Sequence, residues 1–137
     1  MSESAHCSGT EEGTPRGLVL VVDDDEMLRE TLCEVLADAG YETASAVDGV
    51  EALRYLRDGG APCVILLDLM MPNMDGWQFR IRQEKDPLLS KIPTAVMTAS
   101  YSVTTAQIHA DYFLRKPIKL DEVLRVVAEC AAAKRSA

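Results

Sequence analysis

The run Val64-Ile65-Leu66-Leu67 is apolar on both of its alternating faces, ends abruptly in Asp68, and gives way to the turn Pro72-Asn73-Met74-Asp75-Gly76. A strand with no polar residue on either face needs cover on both sides, which is how a central parallel strand between two helix layers reads. Asp68 then falls at the carboxyl end of that strand. In an open α/β sheet the loops diverge at this edge and leave a crevice for ligands. A second run, Leu18–Val22, ends the same way, in Asp23-Asp24-Asp25-Glu26. Two buried strands therefore bring carboxylates to one edge.

The rest of the chain alternates with these strands. Leu28, Leu32, Val35, Leu36 and Ala39 recur at helical spacing after Glu26, and Gly40 is placed to stop that helix. Residues 41–46 read as a half-covered edge strand. Asp48-Gly49-Val50-Glu51 resembles a capping box and opens a helix that ends at Gly59-Gly60. After the Pro72 turn, residues 76–84 form a short helix in which Trp77, Phe79 and Ile81 make no clean stripe, with Asp75 supporting the turn or capping the helix. Residues 94–98 read as a fourth strand, 103–109 as a brief helix, 112–114 as a fifth strand, and 120–132 as a final amphipathic helix. Strand–helix alternation of this kind specifies right-handed crossovers and a doubly wound α/β fold; five strands in this length fit the flavodoxin-like order 2-1-3-4-5.

With 137 residues, 47% of them hydrophobic, the chain supports one domain with a sizeable core. Residues 1–16 carry little to bury and are expected as a disordered leader, 17–133 as the domain, and 134–137 as a tail. A net charge of -8 argues against binding nucleic acid by phosphate neutralisation. Cys7, Cys33, Cys63 and Cys130 show neither a C-x-x-C pair nor zinc spacing. The last three read as small apolar fillers in a reduced, cytoplasmic protein. No apolar run approaches the ~20 residues that span a bilayer, and no signal peptide is evident.

Several carboxylates at one edge repel one another, and a cation resolves the conflict. Oxygen donors with room for water suit Mg²⁺ better than a fully caged Ca²⁺. Lys116, after the fifth strand, adds a positive charge, and Thr98, closing the fourth, adds a hydroxyl. Together they form a pocket for a phosphoryl group, which an Asp carboxylate can accept as nucleophile to give an acyl phosphate.

The motifs V-V-D-D (21–24), D-L-M-M-P-N-M-D-G (68–76), M-T-A (97–99) and K-P (116–117) occur in this order on alternating elements. In this the chain resembles the receiver domain of bacterial two-component response regulators, of the single-domain, chemotaxis-regulator-like kind, over about residues 18–127. The resemblance implies that Asp68 is the phosphoacceptor and that Asp23 and Asp24 form the acidic pair, Asp24 being the direct Mg²⁺ ligand. It further implies that the Met70 backbone carbonyl completes the protein ligands, that Thr98 is the switch hydroxyl with Lys116 as ion-pair partner, and that Phe113 is the switch aromatic. The phosphoryl group would come from a histidine kinase or phosphotransfer protein. A phosphorylation-dependent surface would then be read by a downstream protein, with the chain a monomer or weak dimer that contacts neither nucleic acid nor membrane.

Two features depart from the family pattern. Only 18 positions separate Thr98 from Lys116, and His109-Ala110 replaces the usual Gly-Ala before the fifth strand. The fourth helix is therefore expected to be shortened. With only a few residues after the last helix, a single-domain regulator without an output domain is expected. A pseudo-receiver is disfavoured by the intact acidic pair, Asp68, Thr98 and Lys116. A haloacid-dehalogenase-like phosphatase needs a second Asp where Met70 stands, and a flavodoxin needs a phosphate loop after the first strand. Because apolar Met70 cannot hydrogen-bond an attacking water, self-dephosphorylation is expected to be slow.

Overall fold

A computed structural model describes residues 16–99 and 108–136, with side chains as far as Lys134. Within it β1 (Leu18–Val22), α1 (Glu26–Asp38), β2 (Glu42–Ala46), α2 (Gly49–Arg57), β3 (Val64–Asp68) and α3 (Gly76–Lys85) follow one another. A 3₁₀ turn (Leu89–Lys91), β4 (Thr94–Thr98), β5 (Tyr112–Arg115) and α4 (Leu120–Ser136), the last of four described α-helices, complete the chain. All strand pairs are parallel and the sheet order is β2-β1-β3-β4-β5, the flavodoxin-like order expected from the alternation. Most of the leader and most of the segment expected as a shortened fourth helix lie outside the described residues, as do His6, Cys7 and Ser100.

The unbroken apolar runs are explained by cover on both faces. Successive side chains of a strand point to opposite faces. Val19, Val21, Leu66 and Met97 therefore enter one core with Leu32 and Leu36 of α1 and Val123 and Val127 of α4. Leu20, Val22, Ile65, Leu67 and Val96 enter the other, with Leu53 and Leu56 of α2 and Phe79 of α3. Each such aliphatic side chain contributes about 1.5–3 kcal/mol when fully buried. Cys33, Cys63 and Cys130 are buried, as their reading as fillers requires.

Helix ends are set locally. Asp25, Asp48 and Asp75 are the N-caps of α1, α2 and α3, accepting from the amides of Leu28, Glu51 and Gln78. The Asp75–Gln78 pair forms a full capping box. At α2, Glu51 Oε1 instead accepts from the Val47 amide, one residue before the cap. Gly40 and Gly59 take φ of 98° and 105° after α1 and α2, which lets the next amides close back onto Leu36 and Tyr55 carbonyls.

Two elements differ from expectation. α4 continues through Ser136 rather than stopping near 132, so residues 134–136 of the expected tail are helical, and Lys134 Nζ donates to the Ala61 carbonyl at 2.7 Å. On α3 the missing apolar stripe has a physical cause: the buried face is Gly76, Phe79, Arg80 and Gln83, at helical spacing but half polar. Arg80 Nη1 donates to Gln83 Oε1 at 2.7 Å, Arg80 Nη2 to the His109 carbonyl, and Gln83 Nε2 to the Leu89 carbonyl at 2.9 Å. Buried polar groups are tolerated when they bond one another.

Candidate functional site

The carboxyl edge of the sheet gathers the charged residues. β1 ends immediately before Asp23, which is fully buried; its Oδ1 accepts from the Asp25 amide at 2.8 Å, and Arg29 Nη1 on α1 donates to its carbonyl at 2.7 Å. β3 ends in Asp68, which keeps 4% of its surface. Asp24 lies between them in sequence and is exposed. Oxygens of Asp23, Asp24 and Asp68 lie within 4.8 Å of one another.

Lys116 is carried in from β5, two strands away from β3. Its amide donates to the Thr98 carbonyl at 2.8 Å, continuing the β4–β5 ladder, and its Nζ stands 3.3 Å from Asp68 Oδ1 and 3.4 Å from Asp23 Oδ2. The Lys116–Pro117 peptide is cis. One ammonium thus serves two buried carboxylates. Burial and the Asp23 charge push the Asp68 carboxyl up to about 6, against the pull of Lys116 and a hydrogen bond from the Met70 amide. Burial pulls the Lys116 ammonium down, but Asp23 and Asp68 together hold it above its ordinary value.

Thr98 closes β4 and is buried, one residue past Met97, the partner of Asp68 in the β3–β4 register. Met70 is 76% exposed, on the loop that leaves the site. Phe113 pairs with Val96, packs half-buried on the α2–α3 side of the sheet, and has the Arg115 guanidinium 5.3 Å from its ring centroid. Gly76 opens α3 directly under the site: a Cβ there would come within 2.7 Å of the Asp68 carbonyl. Trp77 packs half-buried on the same side as Phe113.

The edge is a pocket with a lysine ammonium and an all-oxygen acidic cluster. That donor set, two carboxylates buried and one open to water, fits a hard ion such as Mg²⁺. The family profile described as the response regulator receiver domain matches residues 19–128. The chain belongs to the response regulator receiver domain family.

Relatives and solved structures agree with this. Response regulator MprA of Mycobacterium sp. (strain KMS) is 39% identical over 108 residues, covering 77% of this chain and 46% of that protein. The chain thus spans about half the length of the curated relatives it matches. Among solved structures, a CheY-like response regulator receiver domain protein from Methanospirillum hungatei JF-1 superposes with a TM-score of 0.78 at 28% identity, over 89% of this chain and 99% of that one. The chemotaxis response regulator CheY4 of Vibrio cholerae gives 0.74 at 28% identity, over 85% and 99%.

Within the receiver fold, Arg29, Asn73 and His109 make contacts that the sequence did not announce. Arg29 was hidden because one arginine in the first turn of an acidic helix looks like an ordinary surface charge. Asn73, at φ 65°, donates its side-chain amide to Asp48 Oδ2 at 2.8 Å and ties the loop after Asp68 to α2. His109, where glycine is usual, takes φ 57°; its carbonyl accepts from buried Arg80. A non-glycine residue in this region costs on the order of 1 kcal/mol, so the contact must hold it there. Among the described residues no helix is long and apolar enough to cross a membrane.

Proposed function

We propose that this receiver domain, residues 17–133, accepts a phosphoryl group on Asp68 from a histidine kinase or phosphotransfer protein in a Mg²⁺-dependent reaction. The observation that carries the reading is the Lys116 ammonium 3.3 Å from the Asp68 carboxylate, beside a second buried carboxylate. Asp23, Asp24, Asp68 and the Met70 carbonyl would hold the ion, with Asp24 the direct ligand of the acidic pair. Bound there, Mg²⁺ supplies neutralisation of the negative charge that builds on the transferring group.

The chain's own residues do the rest. An Asp68 carboxylate oxygen attacks phosphorus, the bond from phosphorus to the donor's nitrogen breaks, and the leaving imidazole takes up a proton. Lys116 neutralises an equatorial oxygen and holds Asp68 in its charged, nucleophilic form. Thr98 donates its hydroxyl to the phosphoryl group and Phe113 follows inward, which changes the surface that a downstream protein reads. The domain is a signalling module rather than an enzyme with turnover, and Met70 keeps self-hydrolysis slow. Buried cysteines at Cys33, Cys63 and Cys130, read as small apolar fillers, suit a reducing, cytoplasmic setting.

Acetyl phosphate with Mg²⁺ tests the reading. One acid-labile phosphoryl group per chain is expected by mass spectrometry, and none on Asp68→Asn or without the divalent ion. Absence of uptake by the wild-type chain overturns the proposal in favour of a phosphorylation-independent interaction module.

A further inference from the structure

We propose that the groove between α2 and α3 docks an acidic amphipathic segment of a partner protein. The groove has a volume of about 370 Å³. α2 lines it with Val50, Leu53, Arg54 and Arg57, at spacings of three, one and three residues that place all four on one helix stripe. Arg82 of α3 and Met74 of the preceding loop form the other side. Leu53 is anchored in the core, whereas Val50 leaves 39% of its surface exposed. The result is an apolar strip with guanidiniums on both banks.

Charge complementarity selects the occupant. The chain carries a net charge of -8, so an acidic partner is repelled by most of its surface. Here three arginines face one carboxylate, Asp58. Among the described residues none of the three forms an ion pair. All three are solvent-exposed, and the Arg54 charge also favours the buried Asp48 carboxylate at the start of α2. Guanidiniums flanking an apolar strip match a segment whose carboxylates flank apolar anchors, the helix-in-groove mode of recognition. A bare phosphate would leave Val50 and Met74 without a role. Complementary charge of this kind fixes orientation and discriminates against basic partners.

The groove is a built feature. The Gly49 amide donates to the Met74 carbonyl at 3.0 Å, and a Cβ on Gly49 would come within 2.7 Å of the Met74 side chain. Together with the Asn73–Asp48 bond, this fixes the Met74 corner of the groove to the start of α2. The surface goes beyond the phosphoacceptor reading and stands without it.

The test uses the full chain with no phosphodonor. The probe is a fluorescein-labelled helical peptide of about four turns, with Leu on one stripe and Glu on its flanks, read by fluorescence anisotropy at low salt. Binding is expected, with a several-fold loss on raising the salt, and no binding of the same peptide with Lys for Glu or Ser for Leu. The double variant Arg54→Glu/Arg82→Glu, with its fold checked by circular dichroism, should bind at least tenfold more weakly. Arg125→Glu, on the solvent face of α4, and Asp68→Asn should bind like the wild type, which keeps this result separate from phosphoryl transfer. The proposal is overturned if the Glu/Leu peptide does not bind, if the double variant binds as well as Arg125→Glu, or if inorganic phosphate competes as effectively as unlabelled peptide.

Discussion

Lys116 Nζ lies 3.3 Å from Asp68 Oδ1, joining the end of β5 to the end of β3 across the intervening β4. The same nitrogen is 3.4 Å from Asp23, so a single positive charge is divided between two buried carboxylates. Burial and the Asp23 charge raise the proton affinity of the Asp68 carboxylate, and its share of the Lys116 ammonium opposes them.

Without divalent cation, the folded chain binds the Asp68 proton more tightly than the unfolded chain, since burial and Asp23 raise the carboxyl from 3.8 to about 6. A carboxyl raised in this way makes stability fall as pH rises from about 4 to about 6, and leaves it level above. Asp68→Asn removes that loss. The variant should match the wild type near pH 4 and exceed it at pH 7.5 by on the order of 2 kcal/mol, by urea denaturation in chelator. Equal stability at both pH values counts against the electrostatic account.

Gly76→Ala should disturb the site from below. The added methyl meets the Asp68 carbonyl and the Leu69 backbone, at 2.7 and 2.9 Å, and backbone cannot step aside as a flexible side chain can. A loss of about 1–3 kcal/mol is expected, with reduced phosphoryl uptake from acetyl phosphate. Wild-type uptake and midpoint would show that the β3–α3 junction has slack.

Arg80→Leu leaves Gln83, Thr94 and the His109 carbonyl short of a donor in a buried place. The cost should be about 2–4 kcal/mol, because groups stay buried without partners. His109→Gly should act in the other direction, gaining up to about 1 kcal/mol by relieving a left-handed backbone. Chemical denaturation of both variants checks the pair, and a His109→Gly variant less stable than wild type would contradict the strain.

Met70→Asn should shorten the life of the phosphorylated state several-fold, since an amide at this exposed position can orient a water where a thioether cannot. The decay of phosphorylated protein after removal of the donor reads this directly. An unchanged decay removes Met70 from the account of slow hydrolysis.

Much of this was legible in one dimension. The runs 18–22 and 64–67 read as doubly covered strands because they hold no polar residue, and Asp48 read as a helix start because capping is a contact across three residues, with capping one of two readings for Asp75. Asp68, Asp23, Asp24 and Lys116 could be named from their places at strand ends, where chain direction alone puts them on one edge. These features depend on periodicity and short-range bonds, which a sequence displays directly.

Other features required the fold. Arg80 and Gln83 broke the apolar pattern of α3, and only the packing of that helix beside the 3₁₀ turn, β4 and the approach to β5 shows what their polar atoms bond, all but Arg80 Nε finding a partner. Asn73 and Asp48 are 25 positions apart, and nothing in either segment announces the other. The division of Lys116 between Asp23 and Asp68 depends on the order of β1, β3, β4 and β5 and on their register. The sequence by itself determined which segments are strands and helices and which residues end them. Tertiary structure decided which charges share a partner, because a contact between distant segments depends on ångström-scale distances that local propensity does not encode.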